Sequence, residues 1–265
     1  MEPARLPVYE TYAIKYARHE RTARDNFIGG DPHENPSMPM DYFIWVVRSP
    51  ERIVVVDTGF NAQVAAARGR EFLRCPVASL ALLGIEPQAV QDVVITHMHY
   101  DHVGNFDRFP QARFHVQDRE VSFATGRHMR HPSLRAAYEP HDVSEFVLRV
   151  FEERVVFHDG DEALFPGISL HWIGGHTAGL QVVRVHTRKG WMLLASDASH
   201  YYQNMEGRRP FPIVYNVAEM LEGHERVYRL ADSADLVIPG HDPAVMERFP
   251  AASAELAGIV ARLDG

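Results

Sequence analysis

Short apolar runs broken by Gly, Pro and polar turns set the pattern of the chain. "YFIWVV" and "RIVVVDTG" are β-branched and aromatic, and the intervening "RSPE" predicts a hairpin over residues 42–57. "DVVIT", "RFHVQ", "RVVFHD", "ISLHWIGG" and the pair "LQVVRVH" and "WMLLASD" around the turn "TRKG" predict further strands. Alternation is poorest in "WMLLAS", which predicts burial on both faces. "NAQVAAARGREFL" has helical composition, and "GIEPQAV" puts Pro87 where a first helical turn tolerates it. "YEPHDVSEFVLRVF" reads as an amphipathic helix in which Tyr138 and Phe146 are packing groups. In "VAEMLEGHERVYRL", Val217, Met220, Leu221, His224, Val227 and Tyr228 follow helical spacing ahead of the strand "DLVIPG". Sheet-forming runs followed by helices, twice over, suit two β-sheets packed together with helices outside. "FIGGDPHENPSMPMD" breaks both periodicities and predicts a lid or arm over about residues 20–41. The whole chain, 1–265, is read as one domain.

Composition narrows the function. The chain has 265 residues, 46% of them hydrophobic and 23% charged, which suits neither disorder nor a membrane span. Its formal net charge is −8 and no basic cluster exceeds "GRR", so the electrostatic footprint of nucleic-acid binding is missing. Nucleic acid and membrane are not expected partners, and a homodimer is left open. The N-terminal stretch lacks the apolar core of a signal peptide, which points to a cytoplasmic protein. The lone Cys75 rules out an intramolecular disulfide and reads as a small buried hydrophobe.

Candidate chemistry gathers in "HMHYDH" at residues 97–102, directly after "DVVIT". Desolvating so many imidazoles and a carboxylate beside a buried strand is costly unless something coordinates them. His97 and His99 alternate as residues leaving a strand do, and Asp101 and His102 lie on the turn beyond them. His176 in "IGGHTAG", Asp197 at the end of "WMLLASD" and His241 at the end of "DLVIPGH" occupy comparable places after apolar runs. Strand-end loops are where a rigid scaffold presents functional groups. Five imidazoles and two carboxylates exceed one tetrahedral zinc site, so the set implies two divalent metals. Zinc fits the N/O donors best, while manganese, iron and cobalt bind similar sites. Asp57 closes a strand beside Thr58 and Gly59, either as a turn former or as the orienting partner of a ligand. His115, His171 and His186 alternate within strands and read as packing residues, and His128 and His131 as solvated loop.

The motif H-x-H-x-D-H, here "HMHYDH", with the later His, Asp and His, resembles the metallo-β-lactamase superfamily. "VVVDTGFN", "THMHYDHVGN", "GGHTAGLQ", "LLASDAS" and "IPGHDP" are most similar to the N-acyl homoserine lactonases within it. The resemblance implies an αββα sandwich of α/β class with a dinuclear site. It would place His97, His99 and His176 on one metal, Asp101, His102 and His241 on the other, and Asp197 as the bridge. It also suggests that Asp57 supports a ligand.

Two metals sharing a water lower its pKa toward neutrality, which points to hydrolysis by attack of a bridging hydroxide. The expected substrate is a small-molecule lactone or ester, with Asp101 shuttling the proton. Lactonases of this kind carry a tyrosine three positions after the bridging aspartate, and here that position is His200. Spacing leaves His200, Tyr201 and Tyr202 as candidates for its role. An esterase, a thioesterase of the glyoxalase II kind or a β-lactamase is the alternative, and a non-catalytic metal-binding protein comes from a different class.

Overall fold

A computed structural model of the protein describes residues 6–30 and 35–265. Residues 31–34 of the anticipated arm lie outside the described part. Two sheets carry the structure. The first contains β1 (Glu10–His19), β2 (Met40–Ser49), β3 (Arg52–Val56), β4 (Glu71–Phe72), β5 (Asp92–Val94), β6 (Arg113–Gln117) and β7 (Val155–His158), closed at one edge by the C-terminal strand Val260–Arg262. The second contains β8 (Glu162–Phe165), β9 (Ile168–Trp172), β10 (Gln181–Thr187), β11 (Gly190–Ser196) and β12 (Val237–Pro239). The α/β sandwich of two mixed sheets with flanking helices is the expected architecture.

Strand β2 shows how the layers form. Tyr42, Ile44 and Val46 pack on one face with Tyr16, Val93 and Phe146, while Phe43, Trp45 and Val47 pack on the other with Leu170, Val182 and Leu194 of the second sheet. Successive side chains of a strand point to opposite faces, so a continuous apolar run serves two cores at once. β11 is buried on both faces as well, Met192 through Ser196, with its apolar side chains all in the second of these cores.

The hairpin of β2 and β3 pairs Val47 with Val54 and Ser49 with Arg52 around the predicted turn. The helix Val217–Leu230 has the predicted bounds, although Val217 is exposed in its first turn. The run beginning at Asn61 departs from expectation. Asn61 caps a helix that ends at Arg68, because Gly69 adopts φ 64° and closes the C-terminus. Glu71 and Phe72 then leave as a strand paired with β1. Such a left-handed glycine stops a helix whatever the propensity of the residues beyond it. Cys75 is only partly buried. β1 has no clear signal in the sequence because Lys15 and Arg18 interrupt its pattern. Lys15 is accommodated by an ion pair with Asp41 at 2.7 Å.

β3, β5, β6 and β7 run parallel, as do β11 and β12. The loops after β3, β5, β11 and β12 therefore open on one side of the sandwich, each carrying a His or Asp picked out above. Part of the arm is fastened beside them. Asn26 donates to the Met38 carbonyl at 2.9 Å and to the Tyr201 hydroxyl at 3.1 Å, and Ile28 N–H donates to Pro210 O at 2.8 Å. Among the described residues no helix is long and apolar enough to cross a membrane.

Candidate metal centre

The loop after β5 delivers His97, His99, Asp101 and His102. That after β9 delivers His176, and the parallel neighbours β11 and β12 deliver Asp197 and His241. All seven side chains are buried. Their ligating atoms form two groups, His97, His99, His176 and Asp197 in one and Asp101, His102, Asp197 and His241 in the other, each within 4.8 Å.

Asp197 faces both groups. Its Oδ2 lies 3.2 Å from His176 Nε2 and 3.7 Å from His97 Nε2. Its Oδ1 lies 3.0 Å from His241 Nε2 and 3.4 Å from His102 Nε2. Asp101 Oδ2 completes the second group, 3.5 Å from His241 Nε2 and 3.6 Å from His102 Nε2. Four donors at about 2.0–2.1 Å from a tetrahedral zinc stand about 3.3–3.4 Å apart, so these edges fit a metal. Protons alone do not satisfy the arrangement. His102 Nε2, His241 Nε2 and Asp197 Oδ1 are buried without a hydrogen-bond partner, and all face the same centre. Two divalent ions fit this donor set.

The far sides of the rings are held. His102 Nδ1 donates to Asp57 at 2.7 Å, His176 Nδ1 to the Ile213 carbonyl at 2.7 Å, and His241 Nδ1 to the Asp41 carbonyl at 2.9 Å. Such partners fix the tautomer, leaving the other nitrogen free for a cation. Asp57 is thus no simple turn former. It also accepts from Thr96 N–H and Oγ1–H, at 2.8 and 2.9 Å.

The backbone is strained where the ligands are presented. Asp57 has φ 63° and Ser196 φ 44°, conformations that cost of order 1–3 kcal/mol for a non-glycine residue. Beyond Asp197 the fit is close. A Cβ on Gly240 would stand 2.5 Å from Asp197 Oδ1, so only glycine lets the end of β12 approach the Asp197 carboxylate. Gly179 is similarly placed, with the backbone N of Glu120 2.1 Å from where its Cβ would be.

Glu120 is a site residue that no motif marks. Buried beneath two ligand loops, it accepts from Met98 N–H at 2.8 Å, Tyr138 O–H at 3.1 Å, Thr177 O–H at 2.6 Å and Gly179 N–H at 3.1 Å. One carboxylate therefore ties the segment bearing His97 and His99 to the one bearing His176. Tyr138, expected to be a packing group, also stacks edge-on against His99 at 4.6 Å.

The charges follow from burial and neighbours. Burial and the adjacent His102 and His99 hold His97 well below the usual imidazole range; burial and His176 do the same for His99. Burial opposes charging His102 and His241, yet Asp197 and Asp101, joined at His102 by Asp57, raise both above the ordinary value. Burial disfavours the charged form of Asp197 too, but His200, His241 and His102 bring it well below its ordinary value.

Of the three residues considered for the tyrosine's role, His200 alone reaches the site. Its Nε2 lies 3.1 Å from Asp197 Oδ2, and its ring stacks on Phe211 at 3.8 Å. Burial lowers its pKa to about 3, so the ring is neutral. Tyr201 points away, its hydroxyl toward Asn26 and the Met38 and Pro39 carbonyls. Tyr202 lies under Arg248, whose guanidinium is 3.7 Å from the ring centroid. Above the ligands a cleft of about 160 Å³ is lined by His99, Asp101, His176, Asp197 and His200. Tyr42, which meets Tyr100 hydroxyl to hydroxyl at 3.1 Å, forms part of its wall.

Comparison with known proteins agrees with this architecture. A probable metallo-hydrolase of Mycobacterium tuberculosis is 27% identical over 237 residues, 76% of this chain and 74% of that protein. The N-acyl homoserine lactonase AttM of Azorhizobium caulinodans is 27% identical over 239 residues, 80% of this chain and 85% of that one. The crystal structure of a quorum-quenching N-acyl homoserine lactone lactonase superposes with a TM-score of 0.74 at 21% identity, covering 90% of this chain and 94% of the other. AidC, a dizinc quorum-quenching lactonase, does so at 0.68 and 18%, covering 89% and 88%. A family model described as the metallo-beta-lactamase superfamily matches residues 39–241, a span running from the start of β2 to His241. With that match and this sandwich, the chain belongs to the metallo-β-lactamase superfamily.

Proposed function

We propose that the protein is a hydrolase that holds two divalent metal ions, zinc fitting best, and opens the ring of a lactone, with N-acyl homoserine lactones as the favoured class. The observation that carries this reading is the double ligand set sharing Asp197 on the floor of an open cleft. When bound, such a metal pair supplies Lewis acidity and a water acidic enough to be deprotonated at neutral pH. His97, His99 and His176 would hold one ion and Asp101, His102 and His241 the other, with Asp197 shared between them.

The chain's own groups do the rest. Asp57 orients His102, and Glu120 keeps the two ligand loops in register. Tyr16 O–H donates to the Asp101 carbonyl at 2.8 Å and fixes the carboxylate that takes up a proton and returns it to the leaving oxygen. His200, neutral and in the cleft wall with Nε2 beside Asp197, is placed to contact the substrate next to the ligands. Burial keeps the Tyr42 and Tyr100 phenols protonated, so they too are donors.

One observation favours a second reading, an esterase or thioesterase. Neither Tyr201 nor Tyr202 replaces the tyrosine of the lactonases, so contact with the substrate falls to His200.

Proton release from a panel of lactones, esters, thioesters and β-lactams separates the readings, with metal-loaded protein compared against Asp197→Ala and metal counted in both. Turnover confined to lactones and lost in the variant supports the proposal. Preference for another class replaces the substrate, and hydrolysis of none defeats the hydrolase reading.

A further inference from the structure

The ligand set leaves one property of the cleft unexplained, the charge of its wall. Arg21, Arg68 and Arg70 all line it, beside Tyr42 and Tyr100. Arg68 is neutralised, with Nη2 2.6 Å from Glu139 Oε1 and its guanidinium 4.0 Å over the Tyr100 ring. Arg70 differs. Its Nε donates to the Tyr100 hydroxyl at 3.0 Å and its Nη1 to the Arg68 carbonyl at 2.7 Å, and among the described residues no carboxylate forms an ion pair with it. Arg21 likewise spends its Nε on the Asn26 amide oxygen, at 2.6 Å, and lies 5.0 Å over Phe211.

The carboxylate that acts on Arg70 is Asp101, whose charge is committed to the proposed metal pair. Two divalent ions against the two ligand carboxylates leave the floor positive, and Arg70 and Arg21 add to it. His19 registers the two arginines. It lies 3.5 Å from Arg70 Nη1, and burial, followed by the charges of Arg70 and Arg21, lowers its pKa to about 4. A partly buried guanidinium without a carboxylate is an expensive arrangement unless a ligand supplies the anion. Its planar fork matches a carboxylate in two-point geometry. The rest of the wall, from Met40, Phe211 and Ile213, is apolar enough to carry a short chain between the floor and the arginines.

We infer that the substrate carries a carboxylate remote from the bond to be cleaved, and that Arg70, with Tyr100 and Arg21 beside it, is the specificity-determining residue that receives it. The inference rests on the hydrolase reading of the same cleft and replaces a neutral acyl chain with an acidic one.

The test compares N-succinyl, N-glutaryl and N-adipoyl homoserine lactones with their methyl esters, in the metal-loaded wild type, Arg70→Gln and Arg70→Lys. The wild type is expected to prefer the best free acid over its ester by about 30-fold in kcat/KM, chiefly through KM, as a charged hydrogen bond allows. That ratio collapses toward unity in Arg70→Gln and is partly kept in Arg70→Lys. A wild type that handles acid and ester alike, or a ratio unmoved by Arg70→Gln, overturns the inference and leaves the lactonase reading standing. Should no lactone be opened, the lactonase reading fails instead, and calorimetric titration of glutarate against monomethyl glutarate then decides the anion site. Preference for glutarate that weakens about tenfold in Arg70→Gln supports it, and equal binding of the two probes overturns it.

Discussion

The molecule contains two buried clusters of histidine and carboxylate that look alike in composition and differ in closure. Asp92 opens β5, whose other end delivers His97. Asp92 Oδ1 lies 3.0 Å from His115 Nε2, His115 Nδ1 lies 3.1 Å from His158 Nε2, and His158 Nδ1 lies 2.6 Å from Glu162 Oε2. Every imidazole nitrogen in that row has a partner within it, and Arg113 and Arg52 attend Asp92. The row therefore runs from carboxylate through two imidazoles to carboxylate, with each ring held at both nitrogens. In the Asp197 cluster the outer nitrogens of His102, His176 and His241 are likewise held, by Asp57 and by two backbone carbonyls, but the inner His102 Nε2, His241 Nε2 and Asp197 Oδ1 converge on one centre without a hydrogen-bond partner. A buried polar network that closes on itself is architecture, and one that closes everywhere except at its centre is a receptacle for cations.

Breaking the receptacle is expected to have the largest effect. Asp197→Ala should lose metal by elemental analysis and lower hydrolysis about a thousandfold or more, since both ligand sets share that residue. Chelation of the wild type should lower the midpoint of thermal unfolding, because an ion held at 1,000 times its Kd stabilises by about 4 kcal/mol. If chelation leaves both the midpoint and the activity unmoved, the two clusters are equivalent and the contrast is lost.

Next come the residues that orient ligands without holding metal. Asp57→Asn should weaken metal affinity about 10- to 100-fold in a competition titration, while the protein remains folded by circular dichroism. His158→Ala sharpens the comparison from the other side. It should cost about 1–3 kcal/mol in urea unfolding through the orphaned His115, with metal content unchanged. Loss of metal in that variant would argue that the two ends of β5 are coupled.

The smallest effect concerns Asp142, a buried carboxylate whose Oδ2 has no partner. Burial, with Glu139 nearby, raises its pKa to about 6. A folded-state value above the unfolded one means that ionisation opposes folding. The penalty is full above about pH 6 and gone below about pH 4. Asp142→Asn should therefore stabilise by about 1 kcal/mol at pH 8, discounted from the about 3 kcal/mol that the shift implies, and the gain should vanish as the pH falls through that window.

The contrast between the clusters also bears on how much the sequence could disclose. Ligands concentrated in "HMHYDH" or set at the ends of apolar runs are visible because strand endings are local features. The two-sheet architecture was legible through the spacing of those same apolar runs. Glu120 and Arg70 were not. Glu120 stands on the helix Asp118–Thr125 with no motif around it, and its role exists only because three loops fold over it. Arg70 was hidden inside a run of helical composition that Gly69 cuts short. Tyr201 and Tyr202 show the opposite error, since adjacency to Asp197 in sequence sent neither side chain to the site. His115 could be assigned to packing from strand alternation alone, but the row it forms with His158 depends on pairing between β6 and β7.

The ligands of the Asp197 cluster are contributed by both sheets, four from the loop after β5 and three from loops of the second sheet. Ions held there would act as a rivet through the sandwich, fastening segments that are distant along the chain. A partly folded chain with undocked sheets could not hold them, so occupancy would report correct assembly. The effect would be felt most in the rate at which the halves part, making the metal a determinant of the protein's lifetime as well as of its chemistry.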